Sequence, residues 1–195
     1  MIPVEFIVRG YITGSLWKHY SAGNRTYCGI EFNDNLIKNQ KLDSEIITPT
    51  TKDKYDLPIS YNDIIERNLL SKEDLDYIYA ICEKLYTLGK ETAEKNNLIL
   101  VDTKYEFGRD KNGKIILIDE IHTIESSRYW ILDTYEHNME NGKEPDKLDK
   151  DNLRDYLVKF NNESSNIPVE IKDKIINCYK DVYERISKNK VDLQD

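Results

Sequence analysis

The chain opens on IPVEFIVRG, where apolar side chains recur through residues 2–8 with polar ones between them. That alternation predicts a strand. Gly10 and Gly14 interrupt it, and GSLWKHY predicts a short helix capped by Ser15. Residues 21–51 hold no sustained period, which predicts functional loops or short strands paired with distant partners. Helical spacing returns at 60–68. It continues behind the capping-box pattern Ser71-Lys72-Glu73-Asp74, which sets Leu75, Ile78, Cys82, Leu85 and Leu88 on one core-facing stripe. Two apolar runs follow, VDTKYEF and IILID, joined by a polar turn. Two further helices are predicted at 151–160, with Leu153, Tyr156, Leu157 and Phe160 on one face, and at 169–188 behind Pro168. The second repeats Ile171, Ile175, Cys178, Val182 and Ile186. The fold class expected is α+β, a mainly antiparallel sheet with helices packed on one side. The whole of 1–195 reads as a single domain, and 161–195 as its C-terminal helical segment.

Charge and cysteine usage narrow the function. The net charge is −8 over 195 residues, which disfavours nucleic acid as the main partner because phosphate neutralisation needs a basic face. No apolar run is long enough to span a bilayer, and MIPVEFIVRG does not read as a signal peptide. Neither a membrane nor nucleic acid is expected as a partner. Cys28, Cys82 and Cys178 lie far apart, without disulfide or metal-ligand spacing. They read as buried thiols in a reducing cytoplasm.

The two apolar runs together raise a chemical question, because Asp102, Glu106, Asp119 and Glu120 sit within strand-like sequence. Asn112-Gly113 is a two-residue hairpin signal of the type I′ kind. Counting back from that turn sets Glu106 opposite Asp119, with Asp102, Lys104 and Glu106 on one face. Facing carboxylates repel. A hard divalent cation such as Mg²⁺ would offset the repulsion, and so would screening on a solvent-facing hairpin. Three other clusters invite anions. In TIESSRYW, Ser126, Ser127 and Arg128 suit a phosphate, although an exposed arginine beside a turn is the commoner arrangement. In VRGYITGSLWK, Arg9, Ser15 and Lys18 surround two glycines before a helix start, which suits phosphate and also ordinary capping. TPTTK, at 48–52, is a further polar element.

Taken in order, IPVEFIVRGYITGSLWK, TPTTK, VDTKYEFG, LIDEIHTIESSRYW and DKDNLRDYL resemble the SAICAR synthetase (phosphoribosylaminoimidazole-succinocarboxamide synthase) family, over residues 2–157. The resemblance implies an ATP-grasp-related fold. It also implies an ATP- and Mg²⁺-dependent ligase of purine synthesis, which joins L-aspartate to carboxyaminoimidazole ribotide through an acyl phosphate. It carries Glu106 and Asp119 onto the nucleotide-metal ligands, and Asp102 and Lys104 onto catalytic positions at the imidazole and its carboxylate. Arg9, Ser15 and Arg128 match positions at the ribotide phosphate, and Lys52 and Asp56 a loop that approaches aspartate. The sequence departs from the family in several places. The N-terminal lobe with its glycine-containing ATP loop does not precede IPVEFIVRG, the loop after TPTTK is shorter, and Tyr55 stands where the family has histidine. His122 falls at a position that tends to be apolar and reads as a local substitution. The resemblance therefore leaves two readings: the C-terminal part of the ligase, keeping the ribotide and metal half of the site and expected to meet a partner lobe in trans or to self-associate, and a non-catalytic remnant that binds a ribotide or anion or serves as an interaction module.

Overall fold

The computed structural model describes residues 1–148 and 168–191. The helix expected at 151–160 and the ends of the segment 161–195 lie outside them. Two compact units emerge, Met1–Leu88 with Asp102–Ile121, and Gly89–Val101 with His122–Asp195.

In the first unit, β1 (Val4–Tyr11) lies between β4 (Lys41–Thr51) and β5 (Leu98–Arg109), and β6 (Ile115–Ile118) follows on the far side of β5. The pairings β1–β4, β1–β5 and β5–β6 are all antiparallel. Alternation sorts the two faces. Val4, Phe6 and Val8 of β1, and Thr103, Tyr105 and Phe107 of β5, are completely or almost completely buried. Phe6 meets Phe107 edge to face at 5.7 Å and Tyr79 of α3 (Lys72–Glu94) at 6.1 Å, so one side of the sheet packs on this helix. Each such aromatic contributes about 1.5–3 kcal/mol by leaving water.

Ser71 begins α3 as expected, its Oγ accepting from the Asp74 N–H at 3.1 Å. The stripe drifts, however: Leu88 is 61% exposed, and Tyr86 and Ala93 take the inward positions. A period of 3.6 carries a long core face away from any fixed spacing. Before α3, Ser60 and Asp63 form a reciprocal capping box on α2 (Tyr61–Glu66).

Residues 21–51 are more regular than the sequence pattern predicts. They contain the small hairpin of β2 (Thr26–Tyr27) and β3 (Ile30–Glu31), and then β4, eleven residues long. Asp43, Ser44, Glu45 and Pro49 disguise β4, and an edge strand tolerates all four. A satellite core of Ile12, Leu16, Tyr20 and Tyr27 holds α1 (Gly14–Ser21) against this region. Thr13 is the residue before α1, and Ser15 lies within its first turn. Ser15 is therefore not the cap, and its hydroxyl is directed to Arg9 instead.

The second unit contains the first residues of β5, 98–101, with β7 (Ser127–Ile131) and the helices α4 (Leu132–Glu140) and α5 (Val169–Ser187). Cys178 and Val182 anchor the buried face of α5, as the spacing predicts. Gly89, within α3, faces the His122 ring so closely that a Cβ there would lie 2.4 Å from Cε1. His122 has φ +57°, its carbonyl accepts from the Tyr129 hydroxyl at 2.7 Å, and desolvation lowers its pKa below the usual histidine value. The ring therefore fills a packing position. Gly89→Ala gains about 1 kcal/mol of helix propensity, yet it should lower stability by about 1–3 kcal/mol through the clash. In a His122→Ala background the same change should stabilise, and urea unfolding of the four proteins reads the change of sign.

Candidate active site

The sheet face away from α3 is polar because the strand registers line its rows up. Glu5 of β1 pairs with Thr50 and Glu106, Ile7 with Thr48 and Lys104, and Arg9 with Ile46 and Asp102. Directly paired residues share a face. Three short rows from distant parts of the sequence therefore make one surface.

Its inner end is a buried knot around Arg9, which is only 4% exposed. The guanidinium donates from Nε to Thr48 Oγ1 at 2.8 Å, from Nη1 to Asp102 Oδ2 at 3.0 Å, and from Nη2 to Ser15 Oγ at 3.0 Å. The structure thus brings together Arg9, Ser15 and Asp102, all expected at the ribotide. The guanidinium spreads its N–H groups over three partners, and the charge-assisted bond from Nη1 anchors Asp102.

The outer end is an ionic cluster. Lys104 binds Glu106, reaches Asp119 Oδ2 at 3.3 Å and approaches Glu5 Oε1 at 3.7 Å. Lys52, just beyond β4, binds Glu106 and reaches Glu5 at 3.3 Å. Burial pushes the Glu106 carboxyl up, but the hydrogen bonds from Lys104 and Lys52 outweigh it and bring the group to about 2. Desolvation pulls Lys104 down, yet Glu106 and Glu5 more than offset it, so its pKa is raised. These contacts favour the charged ammonium form of Lys104 at neutral pH.

The register expected from Asn112-Gly113 is corrected by one residue: Glu106 pairs with Ile118, and Phe107 with Leu117. The turn is not type I′, because Gly113 has φ +82° while Asn112 is absent from the positive-φ residues. Asp110 Oδ1 instead accepts from the N–H groups of Asn112 and Lys114, at 2.8 and 2.9 Å, and closes a three-residue loop. Strict alternation would then turn Asp119 to the opposite face. It follows the end of β6 with φ +67°, and its carboxylate reaches the same ammonium as Glu106.

Glu106 and Asp119 supply hard oxygen donors of the kind Mg²⁺ prefers. Among the described residues no group of three or more His, Cys, Asp or Glu side chains could hold a metal by itself. Two carboxylates fit an ion whose shell is completed by phosphate and water.

The other expected residues are placed apart. Asp56 is exposed, with φ +46°, in the loop that Thr51 and Leu57 close through a 2.9 Å backbone bond. Arg128 lies in β7 of the second unit, on a strand and not in a turn. The cysteines are free, and burial pushes the half-buried Cys28 thiol up to about 11 and Cys82 higher still. Sequence reasoning gave no role to Glu5 or Thr48. The alternation of Val4, Phe6 and Val8 carried the signal for Glu5, since it turns Glu5 toward Arg9's face; Thr48 needed the β1–β4 register. No described helix is long and apolar enough to cross a membrane.

Comparison with known proteins bears on the family and the fold. A family model described as SAICAR synthetase matches residues 1–170. A phosphoribosylaminoimidazole-succinocarboxamide synthase of Legionella pneumophila (strain Paris) is 51% identical over 163 residues, 81% of this chain and 52% of its own. The SAICAR synthase of Saccharomyces cerevisiae, solved in complex with SAICAR, superposes with a TM-score of 0.80 at 36% identity, over 98% of this chain and 62% of that one. A SAICAR synthetase solved with ADP superposes with a TM-score of 0.69 at 28% identity, over 98% of this chain and 65% of that one. The chain spans about half the length of the curated relatives it matches. Its sequence and its sheet both carry the pattern of one lineage, and the chain belongs to the SAICAR synthetase family.

Proposed function

We propose that this chain provides the ribotide and metal part of an ATP-dependent carbon–nitrogen ligase that joins L-aspartate to carboxyaminoimidazole ribotide. The observation that carries this reading is the polar sheet face, where the Arg9–Asp102 knot adjoins the cluster of Lys52, Lys104, Glu106 and Asp119. Asp102, fixed by Arg9, would orient the imidazole. Lys104, in its ammonium form, would hold the ribotide carboxylate and stabilise negative charge as it becomes an acyl phosphate. Lys52 and Asp56 would meet the aspartate, whose amine then displaces phosphate and forms the amide. Catalysis of this kind rests on position and charge neutralisation.

Glu106 and Asp119 would hold Mg²⁺, which supplies charge neutralisation for the nucleotide phosphates. The relative solved in complex with ADP supports a nucleotide among the ligands. Arg128 is assigned to the ribotide phosphate by the resemblance alone. Calorimetric titration with carboxyaminoimidazole ribotide tests the reading. Arg128→Ala should weaken binding by about tenfold, the loss of one charge-assisted contact. Unchanged affinity would remove Arg128 from the site, and no binding by the unaltered chain would defeat the ribotide assignment.

A further inference from the structure

Glu5 has no part in the reaction as described, yet it stands directly opposite Glu106 in the β1–β5 register. Its side chain is 17% exposed and that of Glu106 is 6% exposed, so water screens this like-charged pair poorly. Both lysines of the cluster bridge it. Lys52 touches Glu5 at 3.3 Å and Lys104 approaches it at 3.7 Å, each while bound to Glu106. Neither ammonium would need to leave the cluster to exchange Glu106 for Glu5; a turn about the end of the lysine chain is enough. Three carboxylates face two ammonium groups, and a divalent cation on Glu106 and Asp119 leaves only Glu5 to neutralise the lysines.

We infer that Glu5 is a positioning residue that receives the Lys52 and Lys104 ammonium groups when a divalent cation takes Glu106 and Asp119. This rests on the reading of Glu106 and Asp119 as the metal pair. In the structure the lysines are the counter-cations of Glu106. On metal binding they move one cross-strand position to Glu5 and stay within the site, available to anionic substrates. Glu5 thus couples occupancy by the cation to the placement of Lys52.

A double-mutant cycle on the full chain tests this, with Mn²⁺ alone as the probe, water completing its shell, and its free-ion electron paramagnetic resonance signal as the readout; an unaltered chain that holds no Mn²⁺ defeats the metal-pair reading and this inference together. Lys52→Met removes a competitor for Glu106 and should tighten Mn²⁺ about fivefold. Glu5→Gln should loosen Mn²⁺ about tenfold in the wild-type background and no more than about threefold beside Lys52→Met. A direct ligand, or a charge acting only through its field, gives the same loss in both backgrounds and overturns the inference. So does Lys52→Met with no tightening. Should Glu5→Gln fail to fold, Glu5→Asp keeps the charge and shortens its reach; a loss confined to the wild-type background supports the inference, and an equal loss in both refutes it. Glu106→Gln separates the two levels. Mn²⁺ binding that survives it defeats the metal-pair reading and this inference together. Binding lost to Glu106→Gln with an additive cycle defeats this inference alone.

Discussion

Arg9→Met should cost about 3–5 kcal/mol of folding stability, the range for removing one partner of a buried ion pair. Asp102 is 3% exposed, and the variant would leave its charge in place without the guanidinium fork. Thr48 and Ser15 would lose the Nε and Nη2 donors in the same step. With a urea slope of about 2 kcal/mol per molar, the unfolding midpoint should fall by roughly 2 M. Arg9→Met combined with Asp102→Leu should regain part of that loss, because an apolar pair leaves no orphaned charge. A single-variant loss below about 1 kcal/mol would mean that the guanidinium does not hold Asp102. The residues proposed at the ribotide are thus also structural, so activity lost in an Arg9 variant has to be separated from unfolding. Lys104, partly exposed at the other end of the face, allows a cleaner separation.

Glu106→Gln should abolish Mg²⁺-dependent ADP binding while leaving ribotide affinity within about threefold, as expected if the two sites share a face and not a ligand. Calorimetry with each ligand in turn reads both numbers. Equal loss of the two would contradict the division of roles. The same variant carries a pH signature. The folded-state carboxyl sits at about 2 against an ordinary value of 4.5. A depressed acid stabilises the fold above its unfolded value and loses that contribution as pH falls. The wild-type advantage over Glu106→Gln, on the order of 2 kcal/mol at neutral pH, should therefore shrink between pH 4.5 and about 2. An advantage that stayed constant through that window would show that the lysines do not hold the ionised form.

The sequence made the chemistry more legible than the register. Alternation in VEFIVR and VDTKYEF identified strands with one apolar face, and both buried their predicted side chains. The pairing of Glu106 with Asp119 was expected from the wrong turn. Asn112-Gly113 suggests a two-residue loop, but Asp110 accepts two backbone N–H groups and fixes a longer one. The carboxylates still meet at Lys104, because Asp119 adopts a left-handed backbone that no hydropathy pattern reveals. β4 was hidden for a related reason. An edge strand does not need the apolar alternation that marks a buried one, and its partner lies some forty residues earlier. Glu5 went unassigned because a lone acid in a strand acquires meaning only once its cross-strand neighbour is known.

Strand β5 carries Asp102, Lys104 and Glu106 on successive same-face positions. An extended backbone advances about 3.3 Å per residue, so these groups stand in steps of about 6.6 Å and span about 13 Å. Such a strand acts as a ruler: its divisions cannot be stretched without breaking the ladder to β1. The separation between the position proposed for carboxylate chemistry and the proposed metal pair would therefore be a property of backbone geometry, indifferent to most side-chain changes nearby. Any drift in which acid or which ribotide the proposed site would accept has to enter through parts free to move against the ruler. The loop beyond Thr51 and the first turn of α1 are the places where altered specificity should arise.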